Sequence, residues 1–215
     1  KLVTTPLSID IRPYHDAATG SEAGDRDDGF RIGYMARIAP EKGLHYLVES
    51  FIQLAGQPQH QDLSLHAAGW LGEANRGYLS DLEERIAKAG LSDRFVYHGS
   101  PSLEEKVRLL RSFDVMSVPT EYQDPKGLFV LEALALGVPV IQPEHGAFPE
   151  LIASTGGGLL VRPGDAAHLG EAINQLKADP ALRVRLGQSG AQRVAERHTI
   201  EQAAKAMKQL CFEDP

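Results

Sequence analysis

One segment of the chain, residues 119–150, concentrates side chains that could do chemistry. Its stretch LFVLEALAL is typical of a short buried helix that carries one carboxylate, Glu132, among apolar neighbours. An ionised carboxylate in such a setting costs several kcal/mol or more unless a cation pairs with it or a ligand binds it. A second acid, Asp124, stands eight residues upstream. We interpret these two acids as parts of one ligand site.

The start of this helix adds groups of the opposite charge. Lys126, Gly127 and Leu128 open it, and a glycine at this point lets a ligand approach the free backbone N–H groups. The helix dipole favours an anion at the same end. Two acids, a lysine and a glycine-led helix start together suit a phosphorylated polyol such as a nucleotide sugar.

The scaffold that must position these groups is predicted from the alternation of strands and helices after residue 30. Strand patterns occupy residues 30–36, 62–70, 94–99, 114–120, 138–143 and 157–165. Helix patterns occupy residues 43–55, 76–90, 102–113, 128–136 and 149–154, and three further helices lie between 165 and 210. This order predicts an α/β, Rossmann-like fold whose mostly parallel sheet has helices on both faces.

Parallel sheets bind ligands at the carboxyl ends of their strands, so the loops that follow the strands should share one rim. Six residues that are distant in sequence should meet there: Arg37, Lys42, Asp124, Lys126, Gly127 and His145. Neither the G-x-G-x-x-G fingerprint nor the G-x-x-x-x-G-K-[ST] phosphate loop occurs. Their absence disfavours a nicotinamide enzyme and an ordinary ATPase.

Composition narrows the function classes further. The 215 residues are 42% hydrophobic and 24% charged, as in ordinary globular proteins, and the net charge of -7 argues against a nucleic-acid partner. The single cysteine, Cys211, favours a reducing, cytoplasmic compartment. No apolar run is long enough for a membrane span, so we expect no membrane contact from this part of the protein. No histidine pair has metal-ligand spacing, and Asp25-Arg26-Asp27 is expected to be a solvated stretch, so no metal site is predicted.

The two ends of the chain differ in character. Residues 1–29 are irregular, and the stretch DAATGSEAGDRDDG within them is rich in acids and glycine, which predicts a flexible linker, whereas residues 30–215 form the predicted domain. The chain starts with Lys1 rather than methionine. We therefore expect it to be a fragment of a longer protein.

Three ordered segments resemble those of a known family. ARIAPEKG resembles the GR-x-x-x-EKG segment of retaining glycosyltransferases that have two Rossmann-like domains. DPKGLFVLEALALGVPVI resembles their E-x7-E segment, and HGAFPELI with GGGLLVRPGD resembles their GG-x-PE and G-x-L-x-x-PGD run. The resemblance covers roughly residues 30 to 210. The chain is thus similar to the C-terminal, donor-binding half of glycosyltransferase family four, which has the GT-B fold.

The resemblance implies roles for four charged residues. Arg37 and Lys42 would contact the donor diphosphate, and Glu132 would hold the ribose hydroxyls. Asp124 would contact the transferred sugar, although the family has Glu at this position and the carboxylate here is one methylene shorter. Glu121, three residues earlier, is the available substitute. Arg37, Lys42 and Asp124 are the predicted catalytic residues.

The resemblance also implies which other groups bind the donor. The backbone at Lys126, Gly127 and Leu128 corresponds to the phosphate-binding helix start of the family. His145 and Gly146, in the segment that resembles GG-x-PE, complete the predicted donor site.

The activity that the resemblance implies is sugar transfer from a nucleotide-diphosphate sugar, with retention of configuration and no further cofactor. The acceptor would be held by the absent N-terminal domain, so the isolated chain should not turn over. Two other functions stay open: a non-catalytic nucleotide-sugar binding module, which the Asp124 departure would suit, and a domain of the sugar-nucleotide epimerase type. An epimerase ranks lower because such enzymes lack the ordered EKG and acid-x7-acid pair.

Overall fold

The computed structural model describes residues 5–14 and 29–212. Its six strands are β1 Phe30–Met35, β2 Leu63–Ala68, β3 Phe95–Tyr97, β4 Val115–Ser117, β5 Val140–Pro143 and β6 Gly158–Val161. Its helices after residue 29 are α1 Leu44–Ala55, α2 Arg76–Lys88, α3 Leu103–Arg111, α4 Leu128–Ala135, α5 Phe148–Thr155, α6 Ala166–Ala178, α7 Pro180–Arg197 and α8 Ile200–Phe212. Each predicted strand and helix is present, with ends that shift by a few residues.

The strands form one parallel sheet in the order β3-β2-β1-β4-β5-β6. This is the doubly wound Rossmann order, in which the chain leaves in opposite directions from the neighbouring strands β1 and β4. Helices α1, α2 and α6 pack on one face, and α3, α4, α5 and α7 pack on the other. The predicted fold class is confirmed.

Burial on both faces explains the apolar strand sequences. In β4, Val115 belongs to the core under α1 and α6, while the next residue, Met116, belongs to the core under α3 and α4. Ile141 and Val140 of β5 divide in the same way. Since both faces of these strands are covered, the period-2 alternation of apolar and polar residues gives way to continuous apolar runs.

The first turn of α3 shows how local sequence sets a helix start. Ser102 Oγ accepts a hydrogen bond from the Glu105 N–H at 3.3 Å, and Glu105 Oε2 accepts one from the Ser102 N–H at 2.8 Å. This capping box satisfies two backbone donors that would otherwise lack partners. It fixes where α3 begins, next to the rim of the sheet.

Residues 5–14 belong to the segment predicted as a linker, and in the structure they pack against the domain. The Ile9 N–H donates to the His198 carbonyl at 2.9 Å, and the Ile200 N–H donates to the Ile9 carbonyl at 3.1 Å. The rest of the predicted linker, including Asp25-Arg26-Asp27, lies largely outside the described residues. Within residues 5–14 and 29–212, no helix has both the length and the apolar character needed to cross a bilayer.

Candidate functional site

The strand order reverses between the neighbouring strands β1 and β4, and the loops that follow these two strands lie side by side. The loop after β1 carries Lys42, and the loop after β4 carries Asp124, because β1 and β4 are neighbours in the sheet. A backbone hydrogen bond of 3.0 Å from the Glu121 N–H to the Glu41 carbonyl joins the two loops. Crevices at such switch points are where open α/β sheets bind their ligands.

Lys42 and Asp124 form the centre of this site. Lys42 Nζ lies 3.0 Å from Asp124 Oδ2, and both side chains are nearly buried, at 12% and 9% exposure. The Tyr122 hydroxyl donates to the same carboxylate oxygen at 2.9 Å and also hydrogen-bonds Lys42 Nζ. The ammonium lies 4.8 Å from the centre of the Tyr122 ring. Tyr122 is a site residue that sequence reasoning missed, since nothing in its local pattern marks it.

The other oxygen of Asp124 caps the start of α4. Asp124 Oδ1 accepts from the backbone N–H groups of Lys126 at 3.0 Å and Gly127 at 2.9 Å. Burial alone would raise the pKa of Asp124, but these amides together with Lys42 and Tyr122 lower it to about 2. For Lys42 burial alone would lower the pKa, but the hydrogen bonds to Tyr122 and Asp124 outweigh this effect and raise the pKa. The pair is therefore ionised across the physiological pH range.

These interactions predict a pH-dependent loss of stability for Asp124→Asn. The folded pKa of about 2 lies below the ordinary value of 3.8, so the carboxylate stabilises the fold fully above pH ~4 and loses this effect as the pH falls towards 2. A shift of this size corresponds to about 2 kcal/mol. Urea denaturation at pH 7 should show that deficit in the variant, and titration to pH 3 should narrow it.

Asp93→Asn is the matched control, because Asp93 is exposed in the short turn before β3. Its free energy of unfolding should follow that of the parent chain at every pH. A deficit for Asp124→Asn that stayed constant from pH 7 to pH 3 would show that the carboxylate charge is not what stabilises the loop.

The start of α4 still has unused donors beside this pair. The N–H groups of Leu128 and Phe129 have no acceptor among the described residues. Asp124 bonds Lys42 Nζ through one oxygen and the Gly127 N–H through the other, so the ammonium lies beside the start of α4. Free amides, the positive end of a helix and a lysine form an anion-binding arrangement. The sequence pointed to the amides of Lys126, Gly127 and Leu128, whereas the structure leaves those of Leu128 and Phe129 available.

The loop after β5 closes the site from the other side. The Ala147 N–H donates to the Asp124 carbonyl at 2.9 Å. This hydrogen bond holds the preceding residue, Gly146, against the Asp124 backbone. A Cβ at that glycine, Gly146, would lie 2.8 Å from Asp124 N. His145 Nε2 donates to the Thr120 carbonyl at 2.9 Å, because a carbonyl oxygen can only accept. His145 Nδ1 is buried and has no hydrogen-bond partner among the described residues.

The side chains of three further charged residues on the same rim do not contact Asp124. Arg37 Nη2 pairs with Glu41 Oε1 at 3.1 Å, and its side chain is about half exposed. The Lys126 side chain is exposed and forms no hydrogen bond or ion pair with the described residues. Glu121 Oε1 lies 3.3 Å from His45 Nε2 and accepts from the Tyr46 hydroxyl, which ties it to α1.

Glu132 is not an isolated buried charge. Its Oε1 accepts from Lys106 Nζ of α3 at 2.6 Å and from the Tyr14 hydroxyl at 3.0 Å. The sequence identified the need for a partner but neither of these two residues, which lie 26 and 118 positions away. Among the described residues, no group of three or more His, Cys, Asp and Glu side chains is placed to hold a metal ion.

The sequence matches a family model. The model described as "Glycosyl transferases group 1" covers residues 21–193. Among curated proteins, the chain is similar to the lipopolysaccharide core biosynthesis mannosyltransferase LpsB of Rhizobium meliloti, with 32% identity over 82% of this chain and 49% of that protein. The chain spans about half the length of the curated relatives it matches.

Solved structures share the fold. Sucrose-phosphate synthase from Thermosynechococcus elongatus superposes with a TM-score of 0.79 and 26% identity, over 97% of this chain and 51% of that one. The C-terminal domain of a glycosyl transferase group 1 family protein from Francisella tularensis superposes with a TM-score of 0.73 and 24% identity. That match covers 91% of this chain and 96% of the Francisella chain.

Proposed function

Because this chain belongs to the glycosyl transferases group 1 family, we propose that it is the donor-binding half of an enzyme that transfers a sugar from a nucleotide-diphosphate sugar. We assign it to the C-terminal half, residues 30–215, within glycosyltransferase family four. The match to an isolated C-terminal domain and the half-length match to curated relatives support this assignment. A cytoplasmic location stays a prediction from the single cysteine.

The observation that carries the proposal is the anion-binding arrangement between β1 and β4. Lys42 and the free amides of Leu128 and Phe129 would meet the donor diphosphate, with Arg37 available from the same rim. When the bond between the anomeric carbon and the phosphate oxygen breaks, negative charge grows on the leaving diphosphate. Fixed N–H donors and a lysine stabilise that charge, and they do so without requiring a metal ion.

The acids of the site would orient the sugar parts of the donor. Glu132 is assigned to the ribose, and Asp124 to the transferred sugar, with Gly146 and His145 lining the side formed by the loop after β5. Retention of configuration is part of the proposal through the family resemblance. The acceptor would bind a further domain, so this chain by itself should bind donor and transfer nothing.

A non-catalytic nucleotide-sugar binding module is the second candidate. The four hydrogen bonds that Asp124 accepts favour it, since each oxygen already accepts two and a sugar hydroxyl would have to displace one of these donors. Asp124→Glu in the complete protein separates the two functions. Transfer that appears only in the variant indicates a degenerate site, whereas turnover by the parent protein excludes the binding module. No observation favours an epimerase.

The direct test of donor binding is calorimetric titration of the 215-residue chain with UDP, GDP, ADP and their sugars. We expect one base series to bind, with a dissociation constant far below that of the free sugar, because the diphosphate supplies most of the contacts. A coupled assay on the same sample should show no transfer. Failure of every nucleotide to bind would refute the proposed function, and substantial transfer by this chain alone would refute its assignment as half an enzyme.

A further inference from the structure

Glu132 uses only one of its two carboxylate oxygens within the described part of the chain. Both of its hydrogen bonds, from Lys106 Nζ and from the Tyr14 hydroxyl, end on Oε1. Oε2 has no partner there, and the side chain keeps 18% of its surface exposed. One edge of this carboxylate is thus tied to the protein, and the other is free to accept a hydrogen bond.

The pair lies next to the proposed donor site. Lys106 and Glu132 stand within the first two turns of α3 and α4, and both helices begin at the rim where the strands end. Their side chains, 23% and 18% exposed, are neither deeply buried nor freely solvated. Glu132 lies one turn after the exposed Leu128 on the same face of α4, so a ligand seated at the start of this helix can reach the free edge of Glu132.

The second partner of Glu132 is Tyr14, which lies near the N-terminus of the chain. Tyr14 is 4% exposed and ends a segment that is anchored at Ile9, which pairs with Thr199, and at Leu7, whose carbonyl accepts from His198 Nδ1 at 2.7 Å. Burial, and then the Glu132 charge, raise the pKa of Tyr14, so its hydroxyl stays protonated and donates. These contacts hold the Tyr14 hydroxyl on Oε1.

We propose that Lys106 and Tyr14 are positioning residues that hold Oε1 of Glu132 so that Oε2 is presented to a ribose hydroxyl of the donor nucleotide. This inference rests on the proposed function. A glutamate has three rotatable side-chain bonds, and fixing one oxygen orients the other.

A purely structural role is the competing explanation, in which Lys106 only neutralises an acid on an apolar helix. The two explanations differ in one measurable respect. A positioning role changes how the site distinguishes a ribose from a deoxyribose, whereas a structural role changes stability and weakens all ligands alike. The ratio of affinities for the two sugars is therefore the decisive quantity.

The experiment is calorimetric titration of the full 215-residue chain with the tightest-binding of UDP, GDP and ADP and with its 2′-deoxy and 3′-deoxy forms. The parent chain should prefer the ribonucleotide over at least one deoxy form by roughly tenfold, the scale of one hydrogen bond to a charged group. Tyr14→Phe and Lys106→Met should each reduce that preference to about threefold or less, with the affinity for that deoxy form unchanged. Lys106→Arg, which keeps the charge, should retain the preference.

Glu132→Gln tests whether the two residues act through this acid. It should remove most of the preference, and adding Tyr14→Phe to it should have no further effect. Lys177→Met is the matched control. Lys177 pairs with Asp62 at 2.9 Å, and its side chain is about as buried as that of Lys106. This pair lies at the amino end of β2, on the edge of the sheet opposite to the proposed site. It should leave every affinity unchanged.

The possible results distinguish failure of the proposed function from failure of this inference alone. If no nucleoside diphosphate binds the parent chain, the proposed function and this inference both fall. If the ribonucleotide binds but the parent has no preference, or if the preference survives both Tyr14→Phe and Lys106→Met, this inference alone is overturned. Circular dichroism reports whether each variant folds, and should Lys106→Met not fold, Tyr14→Phe decides the question on its own.

Discussion

Replacing Lys42 by methionine is expected to weaken nucleoside diphosphate binding by roughly ten- to a hundredfold, the scale of losing a hydrogen bond to a charged group. Lys42 Nζ pairs with Asp124, whose other oxygen bonds the Gly127 N–H at the start of α4, so its loss removes a positive charge beside the proposed phosphate site. It also leaves Asp124 with fewer donors. Calorimetric titration with the nucleotide that the parent chain binds tightest measures the effect.

Lys88→Met is the matched control for this variant. Lys88 is exposed near the end of α2, where it pairs with Glu84 at 2.7 Å, and its replacement should leave the affinity unchanged. Thermal denaturation of both variants separates lost binding from lost folding. A folded Lys42→Met chain with parental affinity would place the diphosphate elsewhere.

Gly127→Ala is expected to lower the free energy of unfolding by about 3 kcal/mol. Gly127 has a φ of +61°, which costs an L-residue about 1–2 kcal/mol. Its new Cβ would lie 2.9 Å from Phe148 Cε1 and 3.1 Å from Leu151 Cδ1, and overpacking of a rigid core adds about 1–3 kcal/mol. Urea denaturation at pH 7 measures the loss.

Gly90→Ala separates the two contributions. Gly90 also has a positive φ, +73°, but a Cβ there would meet nothing within 4 Å. We expect this variant to lose only about 1–2 kcal/mol, the cost of the backbone conformation. Equal losses at Gly127 and Gly90 would show that the close approach of α5 to the start of α4 does not constrain this glycine.

The donor site depends on that close approach. Because Gly127 carries no side chain, Phe148 of α5 can pack directly against the start of α4, and the ring of Phe129 lies 5.8 Å from that of Phe148. The first turn of α4, which carries the amides of Leu128 and Phe129, is thereby held at a fixed place. Such preorganisation is what makes backbone donors effective towards a developing charge.

Much of the fold follows from local pattern. The apolar runs of β4 and β5, the helical periodicity of α1 and the capping box at Ser102 each specify an element within a few residues of its observed place. The alternation of strands and helices then leaves few topologies other than a parallel, doubly wound sheet. Element ends were less predictable, because they depend on side chains from other elements.

The candidate site was predictable in outline and not in its contacts. Lys42, Asp124 and Gly127 were expected on one rim, and the structure places them in hydrogen-bonded proximity. That Asp124 would cap α4 and use the Lys126 and Gly127 amides was not expected, because an aspartate four residues before the first residue of a helix can equally well face a ligand. Tyr122 carries no local signal that marks its role.

By itself the sequence determined the order of elements, the class of the sheet and the rim on which the acids and lysines gather. These features depend on the spacing of apolar residues and on the positions of glycine and proline, which shape the backbone over only a few residues. Only the tertiary structure decided which groups share a hydrogen bond. Lys42 meets Asp124 across 82 positions, and Tyr14 meets Glu132 across 118. Such pairs depend on how helices cross and on which rotamers the packing allows, and no local pattern encodes either.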